Sequence, residues 1–114
     1  MHILYIIYVL LATIGTIPET LCDCIHLKRL LLNNNDFTGP IPSNIGKMKA
    51  LQEINLAHNR LSQEIPISLS NCTLLTTCML HNNAFSGVIH ESIMSLKHLT
   101  ALHLQNNTGA MHGT

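Results

Sequence analysis

The 114-residue sequence has few aromatic and few charged side chains. Trp is absent, aromatic residues make up 4% of the chain and charged residues 11%, with six basic side chains against six acidic ones. Binding to nucleic acid requires a basic surface, and this balance excludes one. With no Trp and few other aromatic side chains, the core is expected to consist mainly of Leu, Ile and Met in many small layers, while eleven Asn provide much of the polarity.

The residues that are present recur every 24 positions. The apolar columns are Leu27, Leu51, Leu75 and Leu99; Leu30, Ile54, Cys78 and Leu102; Leu32, Leu56, Leu80 and Leu104; and Ile41, Ile65 and Ile89. An uninterrupted polar column consists of Asn35, Asn59, Asn83 and Asn107. Such self-similarity predicts a solenoid. Each LxLxxN stretch predicts a short strand with alternate residues inward. Its Asn is expected to hydrogen-bond backbone groups that lack a strand partner.

The unit LKRLLLNNNDFTGPIPSNIGKMKA resembles the plant-type leucine-rich repeat, LxxLxLxxNxFTGxIPxxIGxLxx, of plant leucine-rich-repeat receptor-like kinase ectodomains. The resemblance covers residues 15–107. It implies an α/β-type solenoid of 24-residue plant-specific units with a concave parallel β-sheet and an irregular or 3-10 convex side, truncated at both ends. It also implies a role in binding a protein or a peptide.

The repeat pattern predicts the organisation of the chain. Residues 15–26 form a partial repeat, 27–50, 51–74 and 75–98 are full repeats, 99–107 are a further strand, and 108–114 are an off-pattern tail. Within the full repeats, Gln63 replaces a Gly and His90 replaces a Pro. Residues 1–14 are either a degenerate repeat strand or a signal-like apolar segment. No Lys or Arg precedes that segment, and it is too short for a membrane-spanning helix.

The four cysteines are predicted to be structural thiols. Cys24 and Cys72 share a further apolar column with Met48 and Leu96, and Cys78 shares that of Leu30 and Ile54. Two repeats separate Cys24 from Cys72, which puts a disulfide between them out of reach. The spacing of Cys22 and Cys24 does not fit a zinc site. Because Cys22 lies one step outside the core phase, it is predicted to be the most reactive thiol.

No catalytic, metal or cofactor site is predicted. His58, His81 and His103 are expected on the concave side of successive repeats but in different columns, as solvated surface side chains. A Ser–His–Asp arrangement would require Asp23 or Asp36, and both fall in return or turn segments. The sequence therefore does not indicate an enzyme.

The candidate binding surface is the set of strand residues that cannot point inward. In one column it presents Leu31, Asn55, Met79 and His103. This concave face is either a solvated sheet surface or a shallow groove for an extended peptide or a partner domain. Its members are Lys28, Arg29, Leu31, Asn33, Gln52, Glu53, Asn55, Ala57, Thr76, Thr77, Met79, His81, Thr100, Ala101, His103 and Gln105. Possible glycosylation sites are Asn71 and Asn106.

The resemblance implies a recognition module, either a fragment or a truncated product of a receptor-like kinase ectodomain. No GxGxxG, HRD or DFG motif is present, so a kinase activity cannot be carried over to this chain. The expected partners are a protein or peptide ligand and a co-receptor. The expected location is the secretory route and the extracellular face of the plasma membrane or the apoplast, with membrane association only through parts of the parent receptor outside this chain. The alternatives are a small secreted inhibitor resembling the polygalacturonase-inhibiting proteins and a nonfunctional gene fragment.

Overall fold

The computed structural model describes residues 15–109 and 111–113, so the two interpretations of residues 1–14 lie outside the described chain. In chain order its strands are β1 (Arg29–Leu31), β2 (Thr38–Gly39), β3 (Glu53–Asn55), β4 (Arg60–Gln63), β5 (Thr77–Met79), β6 (Ala84–Phe85), β7 (Gly87–Ile89), β8 (Ala101–His103) and β9 (Met111–Gly113). The helices are three 3-10 turns, Glu19–Asp23, Ile45–Lys47 and Ile67–Asn71, and one short α-helix, α1 (Glu91–Met94).

The 24-residue period is confirmed as the spacing of a parallel sheet. Strands β1, β3, β5 and β8 are neighbours in that order. Their central residues pair as Leu30 with Ile54, Ile54 with Cys78, and Cys78 with Leu102. The first three of these residues are buried, and Leu102 packs against the same core as a partly buried end layer. Each aliphatic column therefore becomes a stack of inward side chains about 4.8 Å apart.

The other side of each repeat carries a second line of strands and the short helices. Strands β2, β4 and β6 form a second parallel sheet, in which partners such as Thr38 and Arg60 are 22 residues apart. The 3-10 turns follow it, with Ile45 and Leu69 buried. The predicted solenoid with a parallel sheet on one side and 3-10 turns on the other is thus confirmed.

The Asn column closes the turn after each strand of the first sheet. Asn59 Nδ2 donates to the carbonyl oxygens of Leu32 at 2.9 Å and Leu56 at 3.0 Å, and its Oδ1 accepts from the N–H of Phe37 at 3.1 Å. Asn83 has the same three bonds, each to a partner one repeat further along. One amide therefore satisfies backbone groups of two repeats at a place where the sheets provide no partner.

A column of left-handed residues precedes the Asn column and was missed in the sequence. Asn34, His58, Asn82 and Asn106 have φ between 56° and 60°. Only a few residue types other than Gly accept this conformation, with Asn and His among the commonest. The repeated pairs Asn-Asn and His-Asn were the available signal.

The tail continues the repeat although its side chains depart from the pattern. Strand β9 pairs in parallel with β7, with Met111 opposite Gly87 and Gly113 opposite Ile89. Gly109 allows the backbone of the tail to lie close to that of Phe85, since a Cβ at this position would be 2.4 Å from the carbonyl oxygen of Phe85. Backbone pairing therefore extends the solenoid beyond the last aliphatic column.

The two departures within the full repeats are accommodated differently. Gln63 adopts φ +68°, almost the angle of its counterparts Gly39 (+77°) and Gly87 (+79°), so the backbone is held where an L side chain is strained. His90 replaces the Pro by acting as the N-cap of α1, since its Nδ1 accepts from the N–H of Ser92 at 3.2 Å.

The prediction for Cys22 is wrong. Its side chain is 0% exposed on the inward side of the turn Glu19–Asp23, where Leu21 is also buried. Burial, followed by the nearby carboxylate of Glu19, raises the pKa of the Cys22 thiol to about 11. Burial likewise raises the pKa of Cys72 to about 11 and that of Cys78 to about 12. Cys24 is only partly buried, and the described cysteines are all free thiols.

Replacing Gln63 with Gly should relieve the left-handed strain. We expect Q63G to raise the free energy of unfolding by about 0.5–1 kcal/mol, because the relief exceeds the entropy that Gly adds to the unfolded chain. Urea unfolding of the purified chain measures the change. The reciprocal variant G39Q, at a position with room for a side chain, should lower stability, and a stabilising effect of G39Q would contradict the assignment of strain.

Removing the amide of Asn83, which is 5% exposed, should be among the most damaging single truncations. Asn83→Ala leaves the N–H of Leu61 without its side-chain acceptor and removes one of the two amide donors to the carbonyl oxygen of Leu56, which Asn59 Nδ2 still bonds. We expect a loss of about 2–4 kcal/mol in the free energy of unfolding, because one unsatisfied buried group costs about 1–3 kcal/mol and each further lost hydrogen bond about 0.5–1.5 kcal/mol. The exposed residue Asn44, whose side chain makes no cap hydrogen bond, is the matched control. N44A should change stability by less than about 0.5 kcal/mol.

Thiol labelling of the folded chain should begin at Cys24. A thiol must be accessible and ionised to react, and Cys24 is the least buried of the four. Mass spectrometry after a short iodoacetamide pulse should find the label on Cys24, and the variant C24A should stay unlabelled until the protein unfolds. Rapid labelling of Cys22 in native protein would show that its burial is incorrect.

Candidate functional site

The sixteen predicted concave residues lie along the four strands of the first sheet and the turns next to them. Six are exposed: Lys28, Arg29, Gln52, Thr76, Thr100 and Gln105. Nine are half-buried: Leu31, Asn33, Glu53, Asn55, Thr77, Met79, His81, Ala101 and His103. The sheet thus presents them as one continuous surface of successive repeats.

Ala57 departs from this prediction because it is only 2% exposed. Its N–H donates to Asn55 Oδ1 at 3.2 Å, and its carbonyl oxygen accepts from Asn59 Nδ2 at 3.3 Å. The turn that follows β3 is therefore folded over this small side chain. Ala57 shapes the surface but cannot offer its side chain to a ligand.

The polar groups of the face are largely paired with one another. Arg29 Nε lies 3.0 Å from Glu53 Oε1, so one cation and one anion of the face compensate. The Thr76 hydroxyl donates to the carbonyl oxygen of Gln52 at 3.0 Å, and the Thr100 hydroxyl donates to that of Thr76 at 3.1 Å. These threonines therefore use their hydroxyl groups along the sheet. The middle of the face is a mildly apolar and nearly neutral platform.

The three concave histidines are at least partly exposed, and they are also in contact, which their different columns did not predict. The ring centroids of His58 and His81 are 5.3 Å apart, and those of His81 and His103 are 5.6 Å apart. Each histidine lies one or two positions earlier in its repeat than the histidine of the preceding repeat. Because adjacent repeats are about 4.8 Å apart, the three rings form a diagonal line across the sheet in which neighbours touch. Burial, with the neighbouring rings of His58 and His103, lowers the pKa of His81.

The other predicted residues lie apart from this surface. Asp23 pairs with Lys47 Nζ at 2.9 Å, and Asp36 lies 3.9 Å from Arg60 Nε, so both carboxylates take part in exposed ion pairs. Asn71 and Asn106, the two sequon residues, are exposed. Within residues 15–109 and 111–113, no group of His, Cys, Asp and Glu side chains has an arrangement that could hold a metal ion. The same residues include no helix with the length and apolarity to cross a membrane.

Comparison with known proteins agrees with this geometry. The sequence profile described as Leucine Rich Repeat matches residues 26–48 and 50–72. The chain matches no curated protein sequence. Its fold is similar to a chain of the BIR3–SERK2 complex from Arabidopsis thaliana, with a TM-score of 0.77 and 36% identity over 82% of this chain and 50% of that one.

Two further solved structures are of plant receptors with a bound peptide. The plant peptide hormone receptor RGFR1 in complex with RGF2 gives a TM-score of 0.80 and 37% identity over 83% of this chain and 15% of that one. The Arabidopsis receptor kinase HAESA, crystallised with the peptide hormone IDA and the co-receptor SERK1, gives a match of TM-score 0.75 and 41% identity over 79% of this chain and 15% of the matched chain. The chain therefore spans half or less of the length of these proteins. Profile, fold and repeat geometry together show that residues of this chain form plant-type leucine-rich repeats.

Proposed function

We propose that the chain binds an extended peptide or a partner protein on its concave face and carries out no chemistry there. The observation that carries the proposal is the four-stranded parallel sheet, which holds outward side chains of four repeats in fixed columns. Such a platform offers many side-chain contacts without a cost of ordering, since its backbone is already fixed by the solenoid.

Similarity to receptor ectodomains supports a receptor role over the alternatives. The similar structures include receptors in complex with a peptide hormone and, for one of them, a co-receptor. By analogy, the chain corresponds to a segment of a receptor-like kinase ectodomain, exposed on the extracellular side. A secreted inhibitor that resembles the polygalacturonase-inhibiting proteins is the alternative for the same surface, because it would also bind through the repeats.

A substitution in the middle of the face tests the proposal. The wild-type chain is used to select a peptide from a display library, and its Kd is measured by isothermal titration calorimetry. Thr77→Arg places a long charged side chain at the first residue of β5, an inner strand of the four-stranded sheet, where Thr77 is half-buried. We expect Kd to rise about tenfold or more, because disrupting a central contact commonly costs over 1 kcal/mol.

The matched control makes the same chemical change elsewhere. Thr73 is exposed and follows the 3-10 turn Ile67–Asn71, away from the concave sheet. Thr73→Arg should leave Kd unchanged. Equal losses in both variants, or a loss only in Thr73→Arg, would place the binding surface elsewhere on the repeat. Circular dichroism of the two variants verifies that both keep the wild-type fold.

A further inference from the structure

The contacting histidines His58, His81 and His103, here called the histidine diagonal, connect three successive repeats. His58 lies in the turn after β3, His81 in the turn after β5, and His103 in β8 itself. Each ring contacts the next, at an interplanar angle of 82° for the first pair and 52° for the second. Three ionisable groups thus lie side by side on the surface that the proposed function assigns to a ligand.

No carboxylate of residues 15–109 and 111–113 acts on His81, the central ring of the diagonal. Among the described residues, the charges that act on the His81 ring are those of His58 and His103. His58 Nε2 is 3.1 Å from the neutral amide of Asn82, and His81 Nδ1 is buried without a hydrogen-bond partner.

The charged groups of the adjoining elements are already paired. Arg29 of β1 bonds to Glu53 of β3 at 3.0 Å. Arg60 of β4, which borders the same groove as Asn82, lies 3.9 Å from Asp36. Lys28 at the start of the face is also a cation. The surroundings of the diagonal therefore supply no anion when its rings are protonated.

We propose that the histidine diagonal is an acid-gated subsite for the carboxylate side chains of an extended acidic peptide, a specificity that rests on the peptide-binding function proposed above. At neutral pH the lowered pKa of His81 favours the uncharged form of the central ring. Acidification protonates imidazole groups, and positive charges on neighbouring rings of the diagonal, whose centroids are 5.3 and 5.6 Å apart, repel each other. A carboxylate seated on the diagonal relieves that repulsion, so its binding and protonation favour each other.

The direction of the pH effect follows from the lowered pKa of His81. Because the folded protein disfavours the charged ring, the neutral ring stabilises the fold above the ordinary value of 6.5, and this contribution is lost as the pH falls below it. A bound acidic peptide reverses the shift by favouring the imidazolium. The free and bound proteins therefore respond to acid in opposite ways.

The test compares two labelled peptides with blocked termini, one alternating Asp with Gly and the other Asn with Gly. Asp is chosen because its charge is nearly constant between about pH 5 and about pH 7.5, whereas His titrates in that interval. Fluorescence anisotropy with the full chain, in the presence of a chelator, should show affinity for the Asp peptide rising about tenfold on acidification. Binding of the Asn peptide should not change.

Substitutions taken from the repeats themselves remove the charge without altering the turn. The columns of His58, His81 and His103 contain Asn34, Asn33 and Asn55 in earlier repeats. The triple variant H58N/H81N/H103N should therefore bind the Asp peptide equally weakly at about pH 5 and at about pH 7.5. The control H98N removes an exposed histidine outside the diagonal and should keep the wild-type response.

A second measurement does not depend on the variants folding. In wild-type protein, the ring proton resonances of His81 should titrate below pH 6.5, and the midpoint should move upward when the Asp peptide is added. The proposal is overturned if the Asp peptide does not bind, if it binds equally at both pH values, if the triple variant keeps the acid response, or if the His81 midpoint does not move. Library peptides that still bind the concave face in those cases would leave the proposed function standing, whereas failure of every peptide would reject both.

Discussion

The buried side-chain amide of each repeat is the constraint on which the rest of the structure depends. Asn59 and Asn83 each join carbonyl groups of two repeats to an N–H in the next line of strands. Without these bonds, the chain would leave the first sheet with unpaired backbone groups inside the molecule, which is costly. The amides therefore fix where each strand ends, and hence which side chains point inward and which form the concave face. Aliphatic stacking then provides most of the stabilisation on a backbone whose path is already determined.

Much of the fold was predictable from the sequence because each layer repeats the same physical requirement. The aliphatic columns, the parallel pairing and the inward position of Leu30, Ile54 and Cys78 follow directly from the period. The tail was less predictable, since β9 continues the pairing through backbone groups that any residue supplies. Cys22 was misjudged because the first turn buries two consecutive residues, Leu21 and Cys22, which strict phase counting does not anticipate.

The candidate site was predictable as a surface but not as an arrangement of groups. Strand alternation indicates which residues face outward, and fifteen of the sixteen concave residues are at least partly exposed. It does not indicate that the turn over Ala57 buries that side chain, because the burial results from hydrogen bonds within the turn. Nor does it predict contact between His58, His81 and His103, which lie in three different columns. Contact between side chains of different columns depends on the length of the side chains and on the distance between the columns. The column in which a residue lies indicates neither of these.

The constant 24-residue spacing between paired strands of the first sheet also bears on how repeats can be gained or lost in evolution. Strands of the first sheet, the 3-10 turns and the amides contact their counterparts in the adjoining repeats. Each junction is consequently a copy of the one before it. Recombination that inserts or excises one complete unit re-creates an existing junction, whereas an insertion of any other length displaces every later inward residue. A gene for this array can therefore lengthen or shorten in whole units while the strand spacing of the protein stays the same.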